Sequence, residues 1–217
     1  PRLFAAEASR AQRVNALRTA DTRLQRADSR YATRADANLA HFPLPRPDTN
    51  LDPVAYGQTG LRPGAPINAA GVYVWYHLSA LGKAERLARG GLTEPQRRAL
   101  VREMLFEEAF ALHFLEDLFA AGHLAGSWGD VSQRKGTHDY YNENGLEVFT
   151  WDARDKTLVL MGDAHMRPED AAVVARTVEA SVQQMLDVAA GRMRAASLPQ
   201  PDVSAEKQPL DDLDVCK

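Results

Sequence analysis

His113 and Asp117 stand four residues apart in MLFEEAFALHFLEDLFAAGH, so on a helix they share one face. The helical phase directs both inward, and a buried, unpartnered carboxylate is costly enough that Asp117 would need a cation. Imidazole beside carboxylate is the ligand chemistry that zinc takes. His123 lies ten residues past His113, which on an unbroken helix rotates it by about 80°. Gly122 offers a bend, with the helix ending near Ala120–Gly122, so that His123 can approach a second metal. Downstream, GTHDYYNENGLE places His138 and Asn142 four apart, with Glu143 one position further. His138 is the stronger ligand candidate. Asn142 offers a weakly binding amide oxygen, and Glu143 has the better chemistry but the poorer helical phase, so both remain open. Thr137 is placed to cap this helix, and Asp139 to orient an imidazole.

The elements that must carry these residues are mostly helical. Val14, Leu17, Ala20, Leu24, Ala27 and Tyr31 recur at steps of three and four, which predicts a long amphipathic helix to about Arg34. From Phe42 to Pro66 six prolines and three glycines predict a loop lying over the core. Asn68 should cap a helix to about Arg89, ended by Gly90 and Gly91, and Thr93 with Gln96 forms a capping box for a helix to about Ala121. The second half of that helix is apolar on nearly every side and is expected to be central and buried. Glu107 and Glu108 point away from His113 and read as polar-face or ion-pair residues. Leu146–Trp151 and Thr157–Met161 predict a β-hairpin, and Pro168 with Glu169 opens a last helix to about Ala196. The expected class is mainly α: a multi-helix bundle around a central buried helix, with one small β-hairpin, as one domain over residues 1–197. An acidic, flexible tail is expected over 198–217.

HFLEDLFAAGH followed by THDYYNENG resembles the zinc-dependent phospholipase C and single-strand nuclease superfamily, over Phe106 to about Leu146. The resemblance implies that His113, Asp117, His123 and His138 are metal ligands, with Asp117 bridging two ions. It also implies that His77 shares the first zinc with His113, and that a ligand comes from the Pro-rich region, where Asp52, Asp48 and His41 are candidates. Two positions depart from the family pattern: Pro1 stands where the family has an N-terminal Trp, and Asn142 stands where an acid is usual. Two or three zinc ions are therefore expected. Trp128 and Tyr140 flank the ligand segments and are candidates to line a substrate cleft, or to face a cationic head group. Trp75, Trp151 and Tyr141 are expected to pack.

The implied activity is hydrolysis of a phosphodiester, foremost in phospholipids, with a zinc-activated water as nucleophile. The alternatives are a single-strand nuclease using the same chemistry, or a non-catalytic, metal-stabilised helical module whose Arg-rich first helix meets a partner or an anionic membrane. Net charge is −3, which argues against a protein that coats duplex nucleic acid. Residues 1–46 nevertheless hold nine Arg against four acids, and residues 202–217 hold five acids against two Lys. The only cysteine is Cys216, which excludes an intrachain disulfide and a Cys-based metal site. No run of about eighteen apolar residues suggests a membrane span. The opening Pro-Arg-Leu, without Met or an apolar signal core, suggests a processed or truncated start, and the resemblance implies an exported or periplasmic setting.

Overall fold

A computed structural model describes residues 9–28, 39–44, 52–62, 64–125, 138–149 and 157–195. The chain is mainly helical: α1 (Arg10–Ala27), a 3-10 turn at Leu39–His41, α2 (Pro53–Leu61), α3 (Ala69–Arg89), α4 (Glu94–Asp117), α5 (Ala121–Ala125) and α6 (His138–Asn144). An antiparallel hairpin of β1 (Leu146–Phe149) and β2 (Thr157–Leu160) follows, then a 3-10 turn at Asp163–His165 and α7 (Pro168–Ala189). The expected class, a helical bundle with a central helix and one small hairpin, is what forms.

Local chemistry sets the helix starts. Asn68 Oδ1 accepts the Gly71 N–H at 2.9 Å and opens α3, while Gly90 at φ 71° closes it in a backbone conformation that favours glycine. The Thr93 N–H donates to Gln96 Oε1 at 3.0 Å, the predicted box at the start of α4. One expectation fails in the Pro-rich stretch, where residues 53–61 form a nine-residue helix. Counting breakers overlooked position: Pro53 sits in the first turn, where its missing N–H costs nothing, and Asp52 Oδ1 caps the Ala55 N–H at 3.1 Å. The first helix ends at Ala27, and residues 29–34 of the expected helix lie outside the described residues, while α7 ends at Ala189, short of Ala196, where Gly191 takes φ 72°.

The described residues divide into two compact units: α1 with residues 119–170, and residues 39–118 with 171–195. The acidic tail from 198 onward lies outside the described residues. In the second unit α3 packs along α4, and Ala80, Leu81, Ala84, Met104, Met185 and Val188 form one core cluster. Ala40, Ala69, Val72 and Phe114 form another. In the first unit β1 and β2 pair in the register Leu146↔Leu160 to Phe149↔Thr157. Arg167 bridges β2 to the start of α7, donating to the Val159 carbonyl and, at 2.8 Å, to the buried Asp170. Burial alone would raise the Asp170 carboxyl, but these bonds to Arg167 outweigh it and hold its pKa below the usual carboxylate range.

Glu108, read from sequence as a polar-face residue, is instead buried. Its carboxylate accepts from His77 Nδ1 at 2.8 Å and from the Ser181 hydroxyl at 2.7 Å, and Ser181 Oγ in turn lies 3.0 Å from the Tyr73 hydroxyl. His77 Nε2 meets Gln184 Oε1 at 2.8 Å. Two acceptors, one on each ring nitrogen, suit a doubly protonated imidazolium. Burial pulls the His77 pKa down, yet the Glu108 bond and charge, with Gln184, hold it above its ordinary value. Glu107 faces outward to Lys83 at 2.7 Å, as an ion pair on the flank of α3 and α4.

Removing one partner of a buried pair strands the other. Glu108→Ala should therefore lower the unfolding free energy by about 3 kcal/mol or more in a urea titration. Because the native state raises the His77 pKa, its contribution is full below the unfolded value of 6.5 and fades as pH rises through the folded value. Unfolding midpoints of the parent chain should accordingly fall between pH 6 and pH 9, and that fall should shrink in Glu108→Gln.

Candidate metal centre

Asp117 ends α4, the last residue before the chain leaves the helix, with its side chain only 11% exposed. His113, one turn earlier, sets Nε2 3.7 Å from Asp117 Oδ2. The third member comes from the Leu39–His41 turn, which is anchored because the Phe42 carbonyl accepts the Ala69 N–H at 2.9 Å and Ala40 is buried against Ala69, Val72 and Phe114. That anchor brings His41 Nδ1 to 2.6 Å from Asp117 Oδ2. Phe114, fully buried, is the wall beneath both rings: its centroid is 5.3 Å from that of His41 and 5.1 Å from that of His113. The ligand atoms of His41, His113 and Asp117 all lie within 4.8 Å of one another, close enough to hold one metal ion. His113 was expected to point inward, but its side chain is 55% exposed, so the group opens to solvent on that side.

The other expected ligands distribute as follows. His77 holds both ring nitrogens in the buried Glu108 and Gln184 bonds, and is not part of the His41–His113–Asp117 group. Asp52 is an exposed helix cap, and Asp48 lies outside the described residues. Of the two described candidates from that region, His41 and Asp52, His41 is the one brought to His113 and Asp117.

His123, His138 and Asn142 come together in the first unit. His138 Nε2 lies 3.1 Å from His123 Nε2 and 3.1 Å from Asn142 Nδ2, and His138 Nδ1 is 2.9 Å from Asp139 Oδ1, as expected for an orienting carboxylate. Asn142 is buried and Glu143 exposed, so Asn142 is the one that joins the histidines. Its amide oxygen accepts the Gly122 N–H at 2.7 Å, which turns the amide nitrogen, rather than the oxygen, towards His138.

Gly122 serves a different purpose from the predicted bend. The long helix has already ended at Asp117, and α5 starts afresh at Ala121. A Cβ at Gly122 would collide with the His138 carbonyl and come within 2.7 Å of the Asn142 amide, so glycine is needed for close approach. Asp163, not anticipated from sequence, completes the group: its Oδ2 accepts from Asn142 Nδ2 at 2.7 Å and lies 3.4 Å from His138 Nε2. Its φ of 47° is left-handed. A Gly-Asp pair between strand and helix was the available signal, since Asp tolerates that region.

No family model, curated protein or solved structure matches the chain. The geometry is the guide to what the sites do. Tyr140 is half-buried and packs edge-on against Tyr141 with centroids 5.4 Å apart, while Trp128 and Trp151 lie outside the described residues.

Gly122→Ala should destabilise the chain by about 1–3 kcal/mol through overpacking. Gly57→Ala, where a Cβ meets nothing within 4 Å, should be neutral or stabilising on a helix. Thermal melts of the two variants check the contrast.

Proposed function

We propose that this chain is a zinc-dependent phosphodiester hydrolase acting foremost on phospholipids. The observation that supports it is the His41–His113–Asp117 group, two imidazoles and a carboxylate with one side open to solvent. A closed, four-ligand arrangement would suit a structural ion, whereas three protein ligands with an open position suit a catalytic one. The donor set fits zinc: nitrogen and oxygen ligands, with no thiolate required. When bound, zinc supplies a Lewis acid that grips phosphate oxygens and lowers the pKa of water towards about 7.

The residues of the chain have separate tasks. Asp117 provides the negative charge that makes the group a cation site, and its buried position holds that charge beside the two rings. His41 and His113 meet edge-on with centroids 5.0 Å apart, and Phe114 beneath them fixes the angle between them. The exposed His113 edge is where a phosphodiester would approach. The sequence resemblance of HFLEDLFAAGH and THDYYNENG to the phospholipase C and nuclease superfamily supports the reaction class. Among the described residues no helix is long and apolar enough to cross a membrane.

Metal analysis of the full chain purified without added ions, followed by hydrolysis assays on phosphatidylcholine and single-stranded DNA at matched zinc, tests the proposal. We expect bound zinc and faster cleavage of the lipid. His113→Ala and Asp117→Asn should each reduce activity by more than the roughly 10–100-fold seen when only a ligand's orienting partner is lost. Faster cleavage of DNA would reassign the substrate to single-stranded nucleic acid, and full activity in both variants would remove the site from catalysis.

A further inference from the structure

One face of α4 carries large apolar side chains in the open. Arg97, Arg98, Val101, Arg102, Leu105 and Phe106 line a shallow groove there, with Leu105 48% and Phe106 67% exposed. Exposed apolar side chains rimmed by polar ones mark a binding surface. We propose that this groove is the docking site of the chain's own acidic C-terminal segment, residues 202–215. The inference goes beyond the hydrolase reading and does not depend on it, since it uses none of the residues of the His41–His113–Asp117 group.

Charge and apolarity match on the two sides. The segment holds Asp202, Glu206, Asp211, Asp212 and Asp214 against Lys207 alone, and Leu210, Leu213 and Val215 stand among the last three acids. In the groove Arg98 meets Glu94 at 3.3 Å, with both side chains exposed. Among the described residues neither Arg97 nor Arg102 has a carboxylate partner. Glu103, also exposed, does not line the groove. A guanidinium takes a carboxylate through two parallel N–H donors, so the arginines would hold the aspartates while the leucines cover Val101, Leu105 and Phe106.

Position favours this occupant over others. Ala195, where the described chain stops, is buried in the same core cluster as Met104 of α4, next in sequence to Leu105. The segment therefore leaves the bundle beside the groove. From Arg97 to Phe106 the helix advances about 14 Å, and residues 196–201 reach up to about 20 Å when extended. Tethering at that range gives an effective concentration in the millimolar range, so contacts that are weak on an open surface suffice. A second copy docked through the same face about a two-fold axis would set arginines against arginines. The net charge of −3 disfavours an anionic membrane.

Cys216 is the only cysteine, so a nitroxide can be attached next to the segment in the otherwise unchanged full chain. Paramagnetic broadening of backbone amide resonances then tests the assignment. We expect the Leu105 and Phe106 amides to broaden, and the broadening to be lost at about 1 M salt, where the screening length falls to about 3 Å. Arg97→Glu, Arg98→Glu and Arg102→Glu together should abolish it, and adding Asp211→Arg, Asp212→Arg and Asp214→Arg should restore it. The three arginines are exposed, and far-UV circular dichroism verifies that the variants fold. Sharp Leu105 and Phe106 resonances, broadening indifferent to charge reversal, or failure of the swapped charges to restore it would each overturn the proposal. Equal broadening when the nitroxide sits on a separate, isotopically unlabelled copy would give the face to a second copy and overturn it too. So would sedimentation with phosphatidylglycerol vesicles that is lost in Phe106→Ser while the parent amides stay sharp, which would give the face to a membrane.

Discussion

A carboxylate at the end of a long helix, kept out of water, is the constraint around which the second unit is organised. Asp117 is buried on the same helix that buries Phe114 and Leu115, so its charge cannot be withdrawn without unpacking the core. Two imidazoles answer it, one from its own helix and one delivered by a short turn that the Ala69–Phe42 hydrogen bond fastens to the start of α3. Phe114 links the two levels of organisation, filling the core and bracing both rings.

A second buried charge in the same unit is treated differently. Glu108 is neutralised from within the protein by His77, with Ser181 and Gln184 completing the hydrogen bonds. That network ties Tyr73 and His77 on α3 to Glu108 on α4 and to Ser181 and Gln184 on α7, which fixes the lateral register of those helices. The contrast between the two carboxylates is instructive: Glu108 is enclosed with its counter-charge, whereas Asp117 shares its oxygen with histidines that open to solvent.

Much of the fold could be read from sequence because it is decided locally. Asn68, Thr93 and Gln96 carry their capping chemistry within three residues, and the hairpin and the helix opened by Pro168 follow from equally short signals. The helix at 53–61 was missed for a related reason, since the position of Pro53 relative to Asp52 matters more than the number of prolines around it. What depends on distant pairing was not legible. The burial of Glu108 requires His77 and Ser181, which are 31 and 73 residues away. His41 could be named only as one of three candidates, because nothing near it in sequence says that it meets Asp117. Asp163 escaped altogether, its relation to His138 being set by a glycine contact and a turn conformation that hydrophobic periodicity does not encode.

The separation between His41 and Asp117, 76 positions along the chain, has a kinetic side. An ion gripping both would tie off a loop containing all of α2, α3 and α4, much as a covalent cross-link does, and the denatured ensemble would lose the configurations in which those ends drift apart. Such a clasp acts chiefly against opening, so a loaded chain would resist proteases long after an emptied one had been cut, even if the two shared the same fold.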